Sequence, residues 1–245
     1  MKTMMIEDYD DVHLPKYLIR IFNNKRYMLQ FIATGQLYMN TLDFFRNMEE
    51  GFQGDHKEGK LIDESMHATL EVSSTSDFRN PDIVLKDVEC TINGYVYCFF
   101  AAGENDINVS EGKLYYNPKD PLNLKDAVLR YKKEDETQDI FIVVLDAKKA
   151  IQAIEQQFKT IEFVGYQGFV EYVQEESLPP RRIIETISNR PWSIAFIKSQ
   201  RYEYQKEWRV FIDTKPLDNH AELYIKNMDK IVLGAGCIPA TEILK

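Results

Sequence analysis

Short apolar runs with strand period dominate this chain, and helical spacing appears only in its first third and its middle. Residues 17–22 (YLIRIF) predict a first strand. Asn23 then reads as a helix cap, Met28, Phe31 and Ile32 fall at helical spacing, and Gly35 suits the left-handed position after a helix end. Residues 37–39 predict a short strand and residues 42–48 a helical turn. A strand is expected at 69–73, and KLYYN at 113–117 reads as another. The runs IVLKDVECTI and YVYCFFAA flank Asn93-Gly94, a hairpin signal because both turn positions must accept positive φ.

Residues 122–131 predict a helix, and the apolar run 140–145 (IFIVVL) predicts a central strand. Asp146 is placed to cap a helix whose stripe is Ala150, Ile151, Ile154 and Phe158. Residues 162–166 and 169–173 are expected to pair around a glycine-containing turn. Pro179-Pro180 breaks the chain, and the basic stretch 181–190 suits a helix. Trp192, Ile194 and Phe196 alternate, as do Trp208, Val210 and Ile212, and LYIK and KIVLG predict two last strands. No βαβ rhythm emerges. The expected class is α+β, with mostly antiparallel or mixed sheets and a few packed helices.

Composition changes this picture little. A chain of 245 residues favours one sizeable domain, here residues 16–245 behind a loose acidic tail at 1–15. Its 44% hydrophobic and 28% charged content suits a folded protein, and 14 Tyr with 14 Phe suit a strand-rich core. The net charge of −9 disfavours strong nonspecific nucleic-acid binding. Cys90, Cys98 and Cys237 form no C-x-x-C pair, although Cys90 and Cys98 could face each other across the expected hairpin. The odd count, with no secretory signal in MKTMMIEDYDD, points to the cytoplasm. No run approaches 18 apolar residues, so no membrane partner is expected.

Candidate chemistry is sparse. His13, His56, His67 and His220 are scattered, and Asp55, His56 and Glu58 read as a polar loop, so no metal is expected. A magnesium-dependent nuclease built on Asp55 and Glu58 ranks last, because such sites rest on rigid strands. No phosphate-cradling glycine motif is present. The segment RYEYQKEWRVFI, residues 201–212, stands out. On a strand, Gln205 and Glu207 project from one face, and Arg209 continues it and favours an ionised Glu207. The same pattern also fits a solvent-facing strand with a Glu–Arg pair. Arg20 lies amid Leu18, Ile19, Ile21 and Phe22; it suits either a bidentate anion clamp or a snorkelling edge residue. Ser74-Thr75-Ser76 reads as a turn or as a polar motif.

The order Arg20, Ser74-Thr75-Ser76, Gln205-x-Glu207 resembles the ADP-ribosyltransferases of the Arg-Ser-Glu type. A second resemblance covers most of the chain in motif order. The pattern G-x-L-Y-x-x-x-x-x-F-F from Gly35 to Phe45, with Y-x-x-Q-K-E-W-R from Tyr202 to Arg209, is similar to a broad family common in bacteria and phages, whose members end on a Glu-x-Glu-(Trp/Tyr)-Arg strand. The first resemblance implies a split sheet, NAD as cofactor and transfer of ADP-ribose to a protein or nucleic-acid acceptor, in a setting of bacterium–phage conflict. It implies that Arg20 grips the pyrophosphate, Tyr38 or Phe45 stacks on nicotinamide, and Ser74 and Ser76 support the cleft. Glu207 would stabilise the oxocarbenium-like transition state and Gln205 would orient the acceptor. Alternatively Ser-Thr-Ser is coincidental and residues 96–102 form the middle strand without a serine. The other function class is a non-enzymatic binding or inhibitor protein, whose acidic surface suits a basic partner.

Overall fold

The computed structural model describes residues 14–48, 59–63, 68–69, 84–85, 88–104, 106–110, 113–116, 139–161, 164–174 and 190–238. These build an α+β fold around an eight-stranded sheet in which every neighbouring pair is antiparallel. In chain order the elements are β1 (Tyr17–Phe22), α1 (Lys25–Thr34), β2 (Gln36–Thr41), α2 (Leu42–Asn47), β3 (Lys60–Asp63), β4 (Ala68–Thr69), β5 (Val84–Leu85), β6 (Val88–Thr91), β7 (Tyr95–Ala102), β8 (Ile107–Ser110) and β9 (Lys113–Tyr116). There follow β10 (Ile140–Asp146), α3 (Ala147–Phe158), β11 (Val164–Phe169), β12 (Glu171–Val173), a 3-10 helix Pro191–Phe196, β13 (Ile197–Ser199), a second 3-10 helix Gln200–Gln205, β14 (Glu207–Asp213), β15 (His220–Tyr224), α4 (Met228–Ile231) and β16 (Val232–Ile238). Strands β3 and β6, β4 and β5, and β8 and β9 form small separate pairs. The proposed tail lies largely outside the described residues; of its last two, Leu14 is partly buried and Pro15 buried.

The main path is β11-β14-β7-β1-β10-β16. It forks at β7. One edge of β7 pairs with β14 from Tyr95 to Phe100. The other pairs with β1 through Phe100, Ala101 and Ala102, and with β2 through Tyr95 and Val96. Strands β1 and β2 therefore leave β7 at its two ends, and β15 extends the β2 arm.

One face of the sheet, the back, carries the largest apolar cluster. Leu18, Leu37, Met39, Phe99, Val143, Leu145, Trp208 and Val210 from the strands meet Met28 and Phe31 of α1, Ile151, Ile154 and Phe158 of α3, and Ile231 of α4. This is the expected stripe of α3, and Asp146 caps that helix by accepting from the Lys149 N–H at 3.1 Å. The cap of α1 is Asn24 rather than Asn23, its side chain accepting from Arg26 N–H at 2.8 Å. Gly35 ends α1 with φ 68°, and a Cβ there would lie 1.9 Å from the Ile225 carbonyl oxygen, so both conformation and space require glycine. The opposite, front face carries Tyr17, Ile19, Phe100, Ile142 and Val144 at one end, and Val96, Tyr166 and Phe211 under α2 and the first 3-10 helix at the other.

Four local expectations are corrected. Asn93-Gly94 makes no hairpin: β6 pairs with β3, and β7 is a central strand with three other partners. Gly94 is instead a tight corner whose carbonyl accepts from Leu42 N–H at 3.0 Å. With that hairpin gone, Cys90 lies opposite Leu61 and does not face Cys98. Residues 164–169 are one continuous strand on β14, while 171–173 pair in parallel with β13, so the second expected hairpin is absent too. Trp192, Ile194 and Phe196 belong to a 3-10 helix despite their alternation, with Pro191 at its start. The expectations for the remainder of 69–73, for 122–131 and for 181–189 fall outside the described residues.

Candidate functional site

The segment from Gln205 to Arg209 lies at the centre of a buried charged cluster on the front face. Gln205 is not on the strand. It ends the second 3-10 helix, Lys206 turns the chain through φ 41°, and Glu207 opens β14. The two side chains still converge, because both reach Lys198 of β13. Its ammonium donates to Gln205 Oε1 at 2.7 Å and to Glu207 Oε1 at 2.9 Å, and it lies 4.7 Å from the Tyr202 ring centre. The second carboxylate oxygen of Glu207 accepts from Arg209, from Nε at 3.1 Å and Nη2 at 2.7 Å. Arg209 Nη1 also donates to the carbonyl of Ala195 in the first 3-10 helix. Tyr172 of β12 closes the group, its hydroxyl oxygen accepting from the Glu207 N–H at 2.8 Å.

Glu207 is 7% exposed, Lys198 5% and Arg209 1%. Burial pushes the Glu207 carboxyl up, but the charges of Lys198 and Arg209 and their hydrogen bonds outweigh it and hold the group well below the usual carboxylate range. Burial, followed by the neighbouring Glu207 charge, pushes the Tyr172 phenol well up. One carboxylate thus lies between two cations, and the site ties β12, β13, β14 and both 3-10 helices together. Of the two readings of the Glu–Arg pair, the solvent-facing one is set aside, because both residues are buried.

Arg20 lies elsewhere. Glu207 stands opposite Phe100, and Phe100 stands opposite Ile19. Residues directly opposite share a face and successive residues alternate, so Arg20 projects from the back face and Glu207 from the front. Arg20 is at the fork. Its Nη1 donates to the Cys98 carbonyl at 2.8 Å, and its guanidinium lies 4.4 Å from the Tyr97 ring centre and 5.8 Å from that of Phe22. It therefore supplies β7 with a donor where β1 and β2 have diverged.

The other anticipated residues are dispersed. Tyr38 is exposed on β2, stacked on His220 at 4.5 Å. Phe45 packs against the cluster formed by Leu42, Val96, Tyr166 and Phe211. Ser74 and Ser76 lie outside the described residues, as do Asp55, His56 and Glu58. Arg20 and Glu207 thus stand on opposite faces of the sheet and do not line one cleft. Among the described residues no group of three or more His, Cys, Asp or Glu is placed to hold a metal ion, and no helix is long and apolar enough to cross a membrane.

Sequence reasoning missed Lys198, the cation that joins Gln205 to Glu207. Its signal was a lone lysine immediately after the apolar run IAFI. It also missed Gln167, which is buried in β11, donates to the Ile151 carbonyl at 3.0 Å and accepts from the Trp208 indole N–H at 3.4 Å, linking the sheet to α3. Neither a family model, nor a curated protein, nor a solved structure matches this chain.

Proposed function

We propose that this chain is a non-enzymatic binding protein for a basic partner. The observation that carries the reading is the engagement of Glu207: both its carboxylate oxygens are taken by Lys198 and Arg209 inside the fold. A group that stabilises charge on a reacting substrate must face that substrate, and this one faces its own neighbours. The net charge of −9 supports a cationic partner through long-range attraction.

A second reading, ADP-ribosyl transfer, is favoured by one feature: the divergence of β1 and β2 from β7, as a split sheet would require. It needs Glu207 released from two cations and a phosphate grip other than Arg20. Incubation with NAD separates the readings. The binding reading expects no shift in melting temperature and no nicotinamide release. Release of nicotinamide that disappears in E207Q, with E207Q still folded, would overturn it in favour of the transferase.

A further inference from the structure

The outward face of the β2–β15 ladder has a composition that packing does not account for. Leu37, Met39 and Leu223 point into the core. Facing outward are Gln36, Tyr38 and Asn40 on β2, opposite Tyr224, Glu222 and His220 on β15. Tyr38 is 50% exposed and Tyr224 43%. These outward side chains carry one formal charge, that of Glu222. Tyr38 stands directly across the ladder from Glu222, and Tyr224 stands two residues along the same strand, on the same face. Register thus puts the Glu222 position between those of two half-exposed tyrosines.

The local bonds hold this arrangement. The Tyr38 ring stacks on His220 at 4.5 Å and 16°. The Tyr224 hydroxyl donates to Glu222 Oε2 at 2.5 Å, and Gln36 Nε2 donates to the Tyr224 oxygen at 3.4 Å. Of the two Glu222 oxygens, Oε2 accepts the tyrosine hydrogen bond. Among the described residues β15 pairs only with β2.

We propose that this face docks a protein segment through an arginine side chain, the guanidinium pairing with Glu222 and lying against the ring of Tyr38 or Tyr224. Resting on the binding reading above, this assigns that reading a surface and a ligand chemistry. Charge complementarity selects the occupant. A carboxylate with exposed tyrosine rings as neighbours attracts a planar cation by ion pairing and by the ring quadrupole together. An anionic ligand such as a phosphate backbone would meet Glu222 and a chain of net charge −9. A lysine would gain the charge term without the planar fit.

The test uses the whole chain and three fluorescent Gly/Ser peptides carrying spaced arginines, lysines or glutamates, followed by anisotropy at physiological salt. The arginine peptide is expected to bind several-fold more tightly than the lysine peptide, and the glutamate peptide not at all. E222Q, an exposed substitution that leaves the core untouched, should weaken the arginine peptide about tenfold, whereas E203Q on the second 3-10 helix should leave it unchanged. Equal weakening by E222Q and E203Q would overturn the site, since attraction would then be diffuse. So would equal arginine and lysine affinities, no binding of the arginine peptide, or binding of a neutral oligosaccharide that competes with it. Failure here leaves the NAD assay silent, so a wrong surface and a wrong function remain distinguishable.

Discussion

Glu207→Gln is the substitution on which the reading of the buried cluster turns. It keeps shape and removes the charge that lies between Lys198 and Arg209. Both buried cations then lose the anion that lies between them. Removing one partner of a buried ion pair costs roughly 3–5 kcal/mol, because the remaining charge stays desolvated. That is a large part of the total stability of a domain, about 5–15 kcal/mol. With a urea slope of about 3 kcal/mol per molar, the upper end for small proteins, the unfolding midpoint should fall by about 1–1.7 M. Lys198→Met leaves the Glu207–Arg209 pair in place and should cost less. In the K198M background the further effect of E207Q should differ from its effect in the wild type by about 0.5–3 kcal/mol, as expected for groups in one network. Urea titration followed by tryptophan fluorescence reads all four proteins, because Trp208 neighbours the cluster in sequence and is buried. If E207Q unfolds within about 0.5 kcal/mol of the wild type, the range of an ordinary surface change, the carboxylate is not a structural group and the transferase reading regains its residue.

Acid provides a related check. The Glu207 carboxyl lies below its ordinary value in the folded protein, so its contribution is fully present above the unfolded value of about 4.3 and is lost as pH falls towards the folded one. Urea midpoints should therefore drop below about pH 4.5 more steeply in the wild type than in E207Q; parallel profiles would contradict the assignment. Arg20→Ala removes the donor to the Cys98 carbonyl at the fork and should destabilise by about 1–3 kcal/mol in thermal melting. An unchanged melting temperature would show that water serves that carbonyl equally well. Gly94→Ala places a Cβ 2.3 Å from the Phe211 ring and 2.5 Å from the Ile212 carbonyl oxygen. Part of the obstacle is backbone, so a loss of about 1–3 kcal/mol is expected in chemical denaturation, and a neutral result would mean that the corner is looser than described.

Where local physics dominates, the sequence by itself determined the structure. The stripe Ala150, Ile151, Ile154, Phe158 behind the Asp146 cap, the left-handed Gly35, the apolar run 140–145 as a strand and the alternation of Trp208, Val210 and Ile212 all appear as read. Each depends on neighbours within about one turn or one strand of chain. Strand partners were a different matter. Asn93-Gly94 has the composition of a turn, yet β7 pairs along both its edges with three more distant strands, and β6 goes to β3. The polar residues show the same division. Nothing within residues 201–212 reveals that Gln205 leaves the strand at a left-handed Lys206, or that Lys198 will be drawn between Gln205 and Glu207. Sequence spacing places Gln205 near Glu207, and Arg209 on the face that Glu207 occupies. Only the assembled sheet decides that Arg20 stands on the opposite face, because face is a matter of register across β1, β7 and β14, and register is set by pairings between segments roughly 80 to 120 residues apart.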